Sequence, residues 1–267
     1  MRTTSRATAA RTLTALAIAC TATTAVADDD RFSLTISGFR PSSNTEISAS
    51  ADDVVGQQID FEDTFNLAQE ETRPRIDGML RLGDRHRLIF NYYDLRRSHS
   101  AVLDEEISFD GQTFAIDTEV NGRFDFSLAT LSYEYALVQT PTLTVGAQIG
   151  AHWAEAKAGI RSDGEPIADV STRASGGAPA IGLRVLGTPG EKWRFGGYLQ
   201  AFKADISEID GRFTRAGVFA EYRVVKNVGV QVGYDWFNLK ADYTKSSWSG
   251  ALDLDIKGPT AGLTFAF

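Results

Sequence analysis

Alternation dominates this sequence. From Val228 to Trp236 every second residue is apolar (Val228, Val230, Val232, Tyr234, Trp236), and Gly229, Gln231, Gly233 and Asp235 stand between them. The same period runs through Leu143–Trp153, where Leu143, Val145, Ala147, Ile149, Ala151 and Trp153 interleave with Gly146, Gln148, Gly150 and His152. It recurs over Trp193–Ala201 and over Ile76–Leu82. Successive side chains of a β-strand point to opposite faces, so a period of two writes one apolar and one polar face. No window reaches the ~18 continuous apolar residues that a membrane-crossing helix requires.

Turn residues divide the alternating pattern into ten segments. They are expected at about Arg31–Ser50, Thr72–Gly83, His86–Ser98, Thr118–Val138, Thr142–Arg161, Arg173–Leu186, Lys192–Ser207, Arg212–Val225, Val228–Lys245 and Ala251–Phe267. Short connections at Asp84-Arg85, Gln139-Thr140-Pro141, Thr188-Pro189-Gly190-Glu191 and Lys226-Asn227 alternate with others expected to be longer. Those others are an acidic stretch around Glu62-Asp63 and Glu70-Glu71, an excursion Ala101–Asp117 with an Asp110-Gly111 hairpin turn reaching beyond the wall, and Asp163-Gly164-Glu165-Pro166. Asp210-Gly211 and Ser246–Gly250 read as short loops. These are the residues that hairpin geometry favours. An even strand number puts both chain ends and all the tight turns on one side. The expected architecture is all-β, a single closed antiparallel transmembrane barrel of about ten strands. Eight strands, with residues 99–118 as loop, is the alternative count.

The first residues read as an export leader. Arg2, Arg6 and Arg11 precede an apolar and small-residue stretch from Leu13 to Val26, and Ala25-Val26-Ala27 has the small-x-small form of a cleavage site. Residues 1–27 are therefore assigned as a signal peptide cleaved after Ala27, and residues 28–267 as the barrel domain. Cys20, the one cysteine, falls in the leader, which leaves the remainder without thiols. The leader also removes three positive charges, taking the net charge from −8 to −11. An acidic chain does not suit nucleic-acid binding, which needs a basic face.

Alternation alone does not say which face meets water. A soluble barrel buries its apolar face, whereas a membrane barrel turns it to lipid and fills the lumen with polar groups. Two features favour the second arrangement. Trp153, Trp193, Tyr133, Tyr135, Tyr222, Tyr234 and Trp236 cluster at the ends of the apolar rows, as interface girdles do. The polar rows mix both charge signs with glycine. The inward set is then Arg75, Asp77, Arg81, Asn91, Glu134, Gln148, His152, Arg184, Arg194, Gln200, Arg215, Glu221, Arg223, Gln231 and Asp235. Ten of these, Arg75, Asp77, Arg81, Glu134, Arg184, Arg194, Arg215, Glu221, Arg223 and Asp235, are expected to form a charge network across the lumen.

The last ten residues, Gly258 to Phe267, place Leu263, Phe265 and Phe267 on one face and stop on Phe267. Here the chain resembles the bacterial outer-membrane β-barrel proteins, whose members commonly end on an aromatic residue after an alternating strand. The resemblance implies residence in the outer membrane of a Gram-negative cell after export through the periplasm. It implies that Leu263, Phe265 and Phe267 are read as an assembly signal by the barrel-assembly machinery through β-augmentation. Outer-membrane lipid, lipopolysaccharide and periplasmic chaperones are the other partners it implies.

Ten strands make a narrow barrel, near the size at which side chains fill the interior. The expected role is structural or that of a narrow, porin-like pore for small solutes. Two alternatives remain, a surface receptor or adhesin and an outer-membrane enzyme acting on lipid A or peptides. Omptin proteases share the ten-stranded architecture and work with acidic residues and a histidine at the outer rim. His99 and Asp104-Glu105-Glu106 fall in that region without a matching motif. Of the other histidines, His86 lies beside a tight turn and His152 on an inward face. There is no HExxH, CxxC, phosphate-binding glycine loop or GxSxG, so no catalytic residue, metal or cofactor is expected. The acidic pairs Asp52-Asp53, Glu62-Asp63, Glu70-Glu71 and Asp104-Glu105-Glu106 are candidates for divalent cations, without the spacing of a calcium loop.

Overall fold

The computed structural model describes residues 30–51, 58–66, 72–162, 168–206, 209–245 and 248–267. The strands are β1 (Phe32–Phe39), β2 (Ser42–Ala51), β3 (Ile59–Asp60), β4 (Arg73–Arg81), β5 (His86–Val102), β6 (Ile107–Phe109), β7 (Gln112–Phe114), β8 (Glu119–Gln139), β9 (Leu143–Ser162), β10 (Ala168–Gly187), β11 (Trp193–Ile206), β12 (Ile209–Val225), β13 (Val228–Lys245) and β14 (Trp248–Ala266), with one short helix, α1 (Phe61–Phe65). β1, β4, β5 and β8 to β14 pair in order, every pair antiparallel, and β1 pairs back onto β14 from Ser33↔Ala266 to Phe39↔Thr260. The result is a closed ten-stranded barrel. The eight-stranded count is excluded, because β5 and β8 pair continuously from His86↔Tyr135 to Val102↔Glu119.

Several expected boundaries shift. The first segment is broken after Phe39, at Arg40-Pro41, into β1 and β2, both paired with β14. Proline has no N–H for the ladder. Asp210-Gly211 is not a turn: both residues sit inside β12, paired with Asp205 and Ala204. Ser249 and Gly250 likewise lie inside β14. β10 begins at Ala168, earlier than the expected Arg173. Two connections at the end opposite the tight turns, 207–208 and 246–247, are therefore as short as the tight turns themselves.

The half of the barrel carrying the tight turns and both described chain ends is termed the lower half. Here the outward rows are apolar: Leu131 and Tyr135 on β8, Ile149 and Trp153 on β9, Ile181, Leu183 and Val185 on β10, Val230 and Val232 on β13 are all exposed. Ile181 is 69% exposed and Trp153 60%, values expected of a surface built for an apolar solvent. From Leu143 to Trp153, a strand tilted ~40° rises about 25 Å, the height of the apolar band of transmembrane barrels. Aromatic side chains gather at both edges. Trp193 stacks on Phe195 and meets Tyr222 at the lower edge, and Tyr234 packs on Trp236 at the upper edge.

The longer strands then reverse their polarity as they climb. On β8 the inward row reads Glu134, Ser132, Thr130 and then Leu128, Phe126, Phe124. The outward row of the same strand reads Tyr135, Tyr133, Leu131, Ala129 and then Ser127, Asp125, Arg123. The period of two is unbroken and only the chemistry changes sides. The upper half is thus an ordinary water-facing structure with an apolar interior. Its outer surface carries ion pairs such as Arg123–Asp125, Lys157–Glu155 and Arg173–Glu155. Hydrogen bonds from Lys157 and Arg173 hold the Glu155 carboxyl below the usual carboxylate range.

The upper half also ceases to be a cylinder. β4 stops at Arg73, and above it β5 pairs only with β8 while β2 pairs with β14 and β3. On the far side, β10 and β11 pair only over Ile181–Gly187 and Phe195–Ala201. Two facing sheets result, β5-β8-β9-β10 and β11-β12-β13-β14-β2-β3, packed through a core rich in phenylalanine.

Candidate functional site

The lower lumen holds the charged groups. Arg75 donates from Nε and Nη2 to the two carboxylate oxygens of Asp77, 2.8 Å each, and from Nη1 to Asp235 at 2.5 Å. Asp77 also accepts from Asn91, and Asp235 accepts from the Tyr198 hydroxyl. Arg215 lies 3.6 Å from Asp235 and stacks over the Tyr198 ring at 5.0 Å. A second group forms nearer the tight turns. Arg223 donates to Glu221 and to Asp30, and Arg194 reaches the same two carboxylates at 3.7 and 3.1 Å. The third group centres on Glu134, which is wholly buried. It accepts from Gln148 at 2.9 Å and faces Arg184 at 3.4 Å and Arg87 at 3.6 Å.

All ten residues of the sequence-derived network therefore stand on the inward face. Nine of them fall into these three groups. Arg81, on the same face of β4, is also engaged in an interaction. The sequence reading missed Arg87, Tyr198 and Asp30. Arg87 and Tyr198 were legible, since Arg87 is in phase with Asn91 on β5 and Tyr198 with Arg194 and Gln200 on β11. Asp30 precedes β1 and carries no periodicity. The groups line a cavity of about 140 Å³, bordered among others by Arg75, Arg184, Arg215 and Asp235. That is room for on the order of ten waters.

The lumen is closed above by aromatic rings. Phe39, Tyr93, Phe126, Phe237 and Phe213 form a layer with successive centroid separations of 5.6, 6.2, 5.4 and 5.0 Å. His152 belongs to its underside: the ring lies 4.2 Å from Phe213, and Nδ1 is 2.8 Å from Thr130 Oγ1.

Above this layer sits a cap that the sequence reading did not foresee. Asp60 caps α1 by accepting from the Asp63 N–H, and Asn66 in a left-handed conformation ends it. Phe61 and Phe65, four residues apart, fall on one face of the helix and are wholly buried. The Phe65 ring lies over Gly122, where a Cβ would stand 2.3 Å from its Cγ, so only glycine fits there. The expected excursion does contain a hairpin, β6–β7, turning at Asp110-Gly111 with positive φ at both residues. It does not reach beyond the wall. Ile107, Phe109 and Phe114 are buried in the core, and Phe109 packs 6.2 Å from Phe61.

Glu62 corrects another expectation. In place of a solvated acidic loop able to hold a cation, its carboxylate is buried against Arg97 and accepts from Thr45 N at 2.7 Å and Thr45 Oγ1 at 3.0 Å. Asp52-Asp53, Glu70-Glu71, Asp163–Pro166 and the leader lie outside the described residues. His99, Asp104, Glu105 and Glu106 are exposed, and among the described residues no hydrogen bond or ion pair joins them to one another. No group of three or more metal-ligating side chains occurs among the described residues. His86, also exposed, is 2.5 Å from the Tyr133 hydroxyl at the lower aromatic edge. Leu263 and Phe265 lie on the outward face of β14, and Phe267, the exposed residue that follows it, closes the seam by exchanging backbone hydrogen bonds with Phe32.

No family model and no curated protein sequence matches the chain. Among solved structures, the outer membrane protease OmpT of Escherichia coli is similar at a TM-score of 0.54 and 15% identity, over 90% of this chain and 97% of that one. The outer membrane protein OprG of Pseudomonas aeruginosa matches at 0.39 and 9% identity over 91% and 98% of the two chains, and the attachment invasion locus protein Ail of Yersinia pestis at 0.35 and 10% over 88% and 99%. The last two values are too low to carry an argument. The first shows that this chain shares the fold of an outer-membrane β-barrel, and the fold alone.

Proposed function

We propose that this protein is an outer-membrane β-barrel with a structural role and a lumen closed at rest. The observation that carries the reading is the outward apolar band with aromatic edges, about 25 Å tall, around a lumen of paired charges. Water would not support so much exposed apolar surface, and hydrocarbon would not support unpaired charges. The closed seam of β1 with β14 supports the same placement, because lipid tolerates no open sheet edge. Lipid and lipopolysaccharide are the expected surroundings. The outward row Leu263, Phe265 and Phe267 is proposed as the mark read by the barrel-assembly machinery, after chaperoned passage of the periplasm and removal of residues 1–27.

The test is fractionation followed by conductance. The protein is expected in the outer membrane, and the refolded barrel is expected to give no current steps in a planar bilayer. Recovery as a freely water-soluble monomer would sink the placement. A second reading, a narrow pore, is favoured by the polar cavity of about 140 Å³. Steady single-channel steps from the unmodified protein would select it. The rim residues His99 and Glu105 are exposed, and among the described residues no hydrogen bond or ion pair joins them.

A further inference from the structure

The wall between β10 and β11 is zipped for only part of its length. Past Ile181↔Ala201 the ladder stops. From there residues 168–180 keep β9 as their partner, and residues 202–206 keep β12. The zipped part coincides with the apolar band. Ile181, Leu183, Val185 and Leu199 are exposed beside it, and the first outward residue of β11 beyond it, Lys203, is charged and exposed. The physical reason is the one that closes β1 on β14. Hydrocarbon demands a paired edge, whereas at headgroup height water can satisfy the backbone.

The other upper seam, between β2 and β5, is bridged by α1 through Glu62, Thr45 and Arg97. No described element bridges the β10–β11 seam. Behind it, Ala174 and Gly176 point inward by the alternation of β10 yet are exposed, and a Cβ at Gly176 would meet open space. Ala154, Ala156 and Phe202 are only half-buried against the core. On one side of the opening the Trp153 ring lies over Gly177, within 2.9 Å of where a Cβ would stand.

We propose that this seam is a lateral slot that admits an acyl chain of an outer-leaflet lipid, or a molecule bearing one, into the apolar upper interior. The inference rests on the membrane placement proposed above. Three observations select an acyl chain. The slot begins where the lipid-facing band ends, so its mouth continues a surface already in contact with acyl chains. The side chains of Ala154, Ala156, Ala174 and Phe202, with Gly176 between them, offer an incoming group no charge and no side-chain hydrogen bond. Behind the slot lies the phenylalanine-rich core, whose side chains meet apolar atoms and would have to part for an incoming chain. The unpaired backbone of β10 would also suit strand addition by an extended peptide, and the experiment separates the two.

The photo-crosslinking residue p-benzoylphenylalanine is placed in the full-length protein at Phe202, and separately at Ala174, then irradiated in native outer membranes. Adducts are identified by mass spectrometry. Ile149, in the lipid-facing band, and Phe124, in the sealed core, serve as controls, and folding of each variant is checked by heat-modifiable migration. Lipid adducts are expected at Phe202, Ala174 and Ile149 and none at Phe124. Gly176→Trp, which fills the open space, is expected to abolish the adduct at Phe202 while leaving that at Ile149. Lipid adducts at Ile149 without any at Phe202 or Ala174 would overturn the slot and leave the membrane placement intact. A peptide or protein adduct at Phe202 would replace the acyl chain by strand addition. No lipid adduct at Ile149 would remove the membrane placement and the slot with it.

Discussion

Glu62 on α1 and Arg97 on β5 form an ion pair whose side chains are 2% and 1% exposed, and both also bond Thr45 on β2. Three elements that share no ladder at this height are thereby joined across the seam left where β4 ends. Removing one partner strands the other charge in an apolar core. Glu62→Ala is expected to cost about 3–5 kcal/mol, read from the urea midpoint of the heat-modifiable band. The double variant Glu62→Leu with Arg97→Met is expected to lose less than either single change. A cost below about 1 kcal/mol for Glu62→Ala would mean that water reaches the pair.

Gly122→Ala tests how tightly the cap is seated. The new methyl group would stand 2.3 Å from the Phe65 ring, which is held by Phe61 at 5.0 Å. The ring must leave its site. The expected loss is about 1–3 kcal/mol, as for other overpacked cores, together with faster proteolysis within residues 58–66. The strand pairing of β5, β8 and β9 is expected to persist, as judged by unchanged circular dichroism.

The aromatic layer is expected to be the barrier to ions. Phe126 and Phe237, 5.4 Å apart, stand directly between the polar cavity and the cap. Phe126→Ala with Phe237→Ala is expected to produce single-channel steps where the unmodified protein gives none. Silence in the double variant would place the barrier in the lower ion pairs instead.

The lumen network should be ranked by how many partners each group holds. Asp235 binds Arg75 at 2.5 Å, accepts from Tyr198 and faces Arg215, whereas among the described residues Arg215 has a 3.6 Å approach and a stacked ring. Asp235→Ala is therefore expected to cost about 3–5 kcal/mol, because it leaves two buried guanidinium groups short of charge. Arg215→Ala is expected to cost clearly less. Equal midpoints in urea for the two variants would refute the ranking.

Phe267 accepts backbone hydrogen bonds from Arg31 at 2.6 Å and Phe32 at 3.0 Å and donates to Phe32 at 2.9 Å. Deleting Phe267 opens the lower end of the closing seam and removes the last aromatic of the outward row. The expected outcome is a smaller folded fraction in the outer membrane and a raised periplasmic pool. A deletion variant that assembles at the normal level would exclude Phe267 from the assembly signal.

The lower half was legible because its polarity pattern is uniform over each strand. Gln148, Gln200 and Asp235 are in phase with one another once the strands are laid side by side. The upper half was not, for a reason visible on β8. Phe124, Phe126 and Leu128 are in phase with Thr130, Ser132 and Glu134, so a period of two is satisfied whichever solvent lies outside. The clue was a change of chemistry along one face, from Glu134 to Phe124. The short helix was hidden because Phe61 and Phe65 make a single i, i+4 pair, too brief for a helical period to register. Asp210-Gly211 misled for the opposite reason. The dipeptide has ideal turn chemistry, but pairing of β12 with both neighbours overrode it.

The pairing of Ser33 with Ala266 has a temporal consequence. The ring is completed by β1 and β14, the two described barrel strands farthest apart in sequence. β1 meets its β4 partner within the first hairpin, but its other edge stays unpaired until β14, more than two hundred residues further on, is in place. Such distant closure is intrinsically slow. A chain cut short before β14 would therefore keep an open strand edge, able to pair with other chains, where the closed cylinder has none.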